Sequence, residues 1–239
     1  MAISSAPRDY RTLIAAASLI LGPLLMAIGD LLHPEERMTP PEQIAILVDH
    51  ASRWYTAHLL LFVGMMLFIP LMAGGIYLLL RGVEGTAARV SRIALVPFVV
   101  FFSAWETLQG TANGILVNEL NRLPEQERAA GARLIQDFAE SPLVRDLGVF
   151  ASIGSLSILI AMIAAGIALR RHAGAPLAVP ILLGLFGVLI GAHTPPFGPI
   201  ALVCFAAAAV LFWRSRPTTV GSARGRDSTV PHTEGTSPA

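Results

Sequence analysis

The stretch 93-IALVPFVVFFSAWETLQGTANGILVN-118 decides how the chain is read. Apolar residues run on both sides of a single carboxylate, Glu106, about midway along a segment long enough to cross a bilayer. An ionisable side chain at that depth costs about 2.5–3.5 kcal/mol on insertion scales, so an acid retained there has a partner or a task. Gln109, Gly110 and Asn113 follow Glu106 at the spacing of one helical face. In a regular α-helix the four form a polar stripe running from mid-membrane toward one end. That stripe is expected to face the interior of a helix bundle, because lipid offers it no partner.

The surrounding chain has the same character. Of 239 residues, 54% are hydrophobic and 14% charged, against about 25% charged in soluble domains. The apolar residues gather into six runs near the roughly 20 residues a span needs: 12–32, 58–80, 93–117, 147–169, 176–192 and 198–213. The fold class expected is all-α, an integral membrane bundle of six transmembrane helices. The last two runs are short and divided only by 193-HTPPFGP-199, which predicts a tight helical hairpin, with a re-entrant pair as the alternative. The first run is about twice the length of a signal-peptide core and closes without a small-x-small cleavage site, so it is expected to be retained as a span.

Orientation follows from arginine, the only strongly basic residue type present. Placing segment 1–11 inside puts Arg8, Arg11, Arg81, Arg89, Arg92, Arg170, Arg171 and the tail arginines in the cytoplasm, and leaves the outer loops acidic. Both termini are then cytoplasmic and the expected location is the plasma membrane. The tail, 214–239, is rich in Ser, Thr, Pro, Gly and Arg without apolar periodicity, and is expected to be disordered. The expected surroundings are the lipid bilayer. A net charge of +1 provides no field to recruit nucleic acid. The single cysteine, Cys204, excludes an intrachain disulfide and a cysteine-built metal centre. No phosphate-binding loop or dinucleotide fingerprint is present.

The outer loops carry their own patterns. Thr39 with Glu42 forms a capping box around Pro40, and Ile44, Leu47, Val48, Ala51, Trp54 and Tyr55 then recur at helical spacing. This predicts an amphipathic helix on the outer interface that runs into the second span, with Trp54 and Tyr55 at headgroup level. A second amphipathic helix is expected over 124–140, followed by Ser141-Pro142 as N-cap and first turn of the next span. The pairs Gly110/Gly114 and Gly187/Gly191 form GxxxG faces. Such faces suit close helix packing within the chain, and also a homo-oligomer or a membrane protein partner. Pro23, Pro70 and Pro97 are candidate kinks.

Four of the six histidines, His33, His50, His58 and His193, map to the outer side. Asp30 precedes His33 by three residues, which suits an acid that orients an imidazole. His50, Trp54 and His58 share a face if the loop helix continues unbroken. The candidate pocket is therefore Asp30, His33, His58, Glu106, Gln109, Asn113 and His193. Imidazole and carboxylate can bind a divalent metal through His33, His58, His193 and Glu106. They can also carry protons, and two histidines on facing helices can ligate haem. Three functions follow. The leading one is binding or translocation of a proton, metal ion or small polar solute; the others are a structural or accessory subunit and an intramembrane metal- or haem-dependent enzyme. The plain alternative is that the histidines merely occupy the headgroup zone and Glu106 bonds a neighbouring helix.

Overall fold

Long runs of Leu, Ile, Val and Ala without charge favour helix once water is scarce, since a helix satisfies its own backbone within one segment. The computed structural model describes residues 10–34, 40–192 and 195–215, and every regular element among them is helical. The helices are α1 (Tyr10–Leu32), α2 (Pro40–Asp49), α3 (Ala51–Leu79), α4 (Thr86–Leu120) and α5 (Glu125–Glu140). They continue with α6 (Pro142–His172), α7 (Ala178–Leu189, extended by a 3-10 turn, Ile190–Ala192) and α8 (Phe197–Ser215). Three are long and apolar enough to cross a membrane: α4, the Gly148–His172 portion of α6, and α8. Ser18–Leu32 and Ala178–Leu189 are shorter apolar stretches.

The six longest apolar elements close into a ring in chain order. α1 packs on α3, α3 on α4, α4 on α6, α6 on α7, α7 on α8, and α8 returns to α1. The connections from α3 to α4, α6 to α7 and α7 to α8 are short and place those consecutive helices side by side. The interior is filled by aromatic and small side chains, among them Phe98, Phe186, Phe205 and Phe212 against Ala161, Ala165 and Ala201. Gly187 of α7 lies so close to α6 that a Cβ would stand 3.0 Å from the Leu159 Cα. The Gly187/Gly191 face is thus used within the chain, Gly191 facing Ser155.

The outward faces are apolar as well. On α6 Leu156, Ile160, Ile163 and Ile167 are exposed at helical spacing, as are Ile181, Leu185 and Val188 on α7 and Ile93, Val96 and Val100 on α4. A water-soluble bundle would place polar residues there, and contiguous apolar surface of this kind marks a membrane or an interface.

The two amphipathic helices α2 and α5 lie together at one end of the ring, against the end of α4. Asn121 donates to the Val48 carbonyl at 3.2 Å, and Ala51, Trp54, Val117, Leu120 and Ile135 form a small core beneath them. Ser141 caps α6 as its sequence predicts, accepting from the Val144 N–H at 3.4 Å with Pro142 in the first turn.

Several boundaries differ from expectation. α4 begins at Thr86 rather than at residue 93, because the polar stretch Thr86–Arg92 contains no helix breaker and continues the same helix. α6 likewise starts at Pro142 and ends at His172. The loop helix does not run unbroken into the second span. It stops at His50, whose backbone (φ −122°, ψ 25°) leaves the helical region before α3 begins. Thr39 of the capping box, His193 and the tail from residue 216 lie outside the described residues.

A buried polar centre along α3 and its neighbours

α4 is not a regular α-helix where it matters most. Two π-helical segments, Phe98–Phe102 and Thr107–Ala112, flank the short α-helical piece Ser103–Glu106. Pro97 precedes the first, and a residue without an N–H interrupts the i→i−4 ladder there. π segments are rare, and they recur at functional sites because the widened turn redirects side chains. The even stripe expected of Glu106, Gln109, Gly110 and Asn113 is therefore reshaped. Glu106 lies at the junction of the two geometries, Gly110 lies inside the second π segment, and Asn113 follows it.

Opposite Gly110 stands α3. The His58 imidazole occupies the space that a side chain at residue 110 would need, with its Nε2 2.6 Å from an ideal Cβ position. Trp54, one turn earlier on α3, donates from its indole Nε1 to the Gly110 carbonyl at 3.2 Å. Gly114 lies under the same indole, a Cβ there being 3.1 Å from the Trp54 Cδ1. The Gly110/Gly114 face is thus occupied within the chain by Trp54 and His58, and any homo-oligomer contact would have to use other surface.

From α1 comes His33. Its ring centroid is 4.5 Å from that of Trp54 and 4.8 Å from that of His58, and Trp54 stacks on His58 at 4.5 Å with 26° between planes. The three rings form one cluster. Each imidazole is oriented by a backbone carbonyl: His33 Nδ1 bonds the Pro34 oxygen at 2.7 Å, and His58 Nδ1 bonds the Trp54 oxygen at 3.0 Å. A carbonyl can only accept, so Nδ1 carries a proton in both rings, and Nε2 is the nitrogen whose protonation can change. The same carbonyl-held arrangement orients imidazoles that bind ions. The Pro34 carbonyl thus fixes the His33 ring through Nδ1.

Burial completes the picture. Asp30, His33, His58, Glu106 and Asn113 are 0%, 3%, 3%, 4% and 5% exposed. Asp30 lies in α1 and His33 just past its end, His58 lies in α3, and Glu106 and Asn113 lie in α4 about one turn to either side of Gly110; α3 packs on both α1 and α4. His50 does not join them, since it is exposed at the α2–α3 break. The Gln109 side chain and His193 lie outside what the structure describes. Trp54, expected at headgroup level, is 4% exposed and packed inside the cluster. The clue was available in the four-residue spacing of Trp54 and His58, which places an indole on the face of a buried imidazole.

This geometry narrows the chemistry. Haem ligation between His33 and His58 requires the macrocycle plane between the two rings, and these rings contact each other and share Trp54 as a neighbour. The pair does not fit haem. Among the described residues no three of His, Cys, Asp and Glu are grouped so that they could hold a metal ion. Comparison with known proteins gives no match to a family model, to a curated protein or to a solved structure.

Proposed function

We propose that the chain is a multi-pass plasma-membrane protein whose six spans lie in α1, α3, α4, α6, α7 and α8. The buried centre lies toward the outer face and binds or translocates a proton or a small polar solute. One observation carries this reading: five polar side chains from three helices are each at most 5% exposed, inside a bundle whose outward faces are apolar. Desolvating such groups is costly unless they are used or mutually satisfied. The carbonyl-held Nδ1 atoms favour a proton among the candidate ligands, because they leave a single exchangeable nitrogen on each ring. The arginine distribution supports cytoplasmic termini.

Two experiments test the parts separately. In a Cys204→Ser background, a cysteine introduced by Glu127→Cys should react with a membrane-impermeant maleimide on intact cells. One introduced by Glu84→Cys should react only after permeabilisation; the reverse pattern would invert the topology. In liposomes with an entrapped pH dye, the wild type should dissipate an imposed pH gradient faster than empty vesicles. Glu106→Gln should return the rate to that of empty vesicles at equal reconstitution yield. Equal rates for wild type and variant would remove Glu106 from the path.

A structural role is the second reading, and the bonds from Trp54 to Gly110 and from His58 to Trp54 favour it. Under it, the cluster locks α3 to α4, and Glu106→Gln changes thermal stability alone.

A further inference from the structure

At the opposite end of the α3–α4 pair, an outward-facing groove of about 370 Å³ runs between Ala73, Gly74 and Tyr77 of α3 and Leu95, Val96 and Val100 of α4. Its walls are apolar, and one end carries the guanidinium of Arg92. That group is held in place twice over. Its Nη2 donates to the Leu80 and Val83 carbonyls at 2.6 and 3.0 Å, and the cation lies 5.7 Å over the Tyr77 ring. Both bonds leave from one nitrogen of a group with five donors, so among the described residues the Nε and Nη1 donors of Arg92 carry no protein hydrogen bond. Arg81 and Arg89 are exposed near the same end, with Glu84 as the opposing charge in the connecting turn. From Arg92 to Val100 the groove follows α4 for about 12 Å at 1.5 Å per residue.

We propose that this groove is a binding site for an anionic phospholipid, its acyl chain along Gly74, Val96 and Val100 and its phosphate on Arg92. An apolar channel that ends in a fixed, half-buried cation matches the two chemically distinct parts of such a lipid. A zwitterionic lipid fills the channel equally well but brings its own cation to the arginines. Arginine suits the phosphate because its planar donors pair with two oxygens at once. Gly74 has no atom within 4 Å of an ideal Cβ, so the channel is open at its middle. The site is separate from the polar centre and rests only on the reading of the bundle as membrane-embedded.

The test uses the full chain in nanodiscs made from equal parts phosphatidylglycerol and phosphatidylcholine of matched chain length. Retained lipid is counted by native mass spectrometry after mild detergent exchange. The wild type should retain phosphatidylglycerol about fivefold over phosphatidylcholine, the preference of one interfacial arginine contact. Arg92→Gln should bring the ratio to about one, and Arg92→Lys should restore part of it. Gly74→Leu fills the channel without touching Arg92 and should lower retention of both lipids in a protein of unchanged fold. No preference in the wild type, or a preference that survives Arg92→Gln, overturns the proposal while the membrane reading stands. Recovery of the chain in the soluble fraction before reconstitution overturns both.

Discussion

Along α4, the segments Phe98–Phe102 and Thr107–Ala112 share a π-helical backbone and differ in what they face. The first is wholly apolar. Phe98 and Phe102 are buried with ring centroids 5.5 Å apart, and Phe101 stacks on Phe150 of α6 at 5.1 Å. Gly154 of α6 admits the backbone of Phe102, whose N would lie 3.1 Å from a Cβ at residue 154. The second segment meets α3 through Gly110, and receives an indole N–H on its carbonyl and an imidazole on its open face. A widened helical turn is therefore not itself a sign of function in this chain. Both segments let a neighbour approach closely, and only the second brings titratable groups to the contact.

The contrast can be broken at its tightest point. Gly110→Ala drives a methyl into the His58 ring and should destabilise the protein by about 3 kcal/mol, the upper end of overpacking costs. Thermal unfolding in detergent measures it, and the stacking of Trp54 on His58 should be lost with it. Gly154→Ala, the matching change at the apolar segment, presses only on Phe102 and should cost about 1 kcal/mol with no effect on proton flux. Equal losses at the two sites would mean that the polar contact is no tighter than the apolar one. Trp54→Phe keeps a ring against both histidines but removes the bond to Gly110, and should cost about 1 kcal/mol. His50→Gln alters an exposed residue at a helix break and should change stability by less than about 0.5 kcal/mol. A larger change there would place His50 in the centre after all.

How much of this was readable from the sequence differs between the same two regions. The helical class, the apolar character of α4, α6 and α8, the cap at Ser141 and the burial of Glu106 and Asn113 all follow from composition and spacing, because each depends on local chemistry. The π segments do not. A stripe at i, i+3, i+4 and i+7 assumes an even α-helix, and the turn that receives Trp54 exists only through a tertiary contact with α3. For the same reason Trp54 was expected at the headgroups. An aromatic residue near a span end suits the interface and the interior equally, and the choice is made by Gly110 and Gly114 on another helix. The break at His50 was hidden because the residues around it keep helical periodicity in the sequence. The neighbours of α1 and α4 depend on closure of the ring, which no single segment encodes.

Trp54 offers the most direct measurement, because it stacks on one imidazole and packs tilted against the other. In a Trp105→Phe, Trp213→Phe background its emission reports on the centre alone. A protonated imidazole quenches an indole in contact with it, so emission should fall reversibly as the folded protein is taken from about pH 8 to about pH 5. The response should vanish in the His33→Gln, His58→Gln double variant and shift its midpoint in Glu106→Gln. An emission that stays constant across that range in folded protein, or a titration that none of these substitutions moves, would contradict a proton-binding centre and leave the cluster as a packing lock.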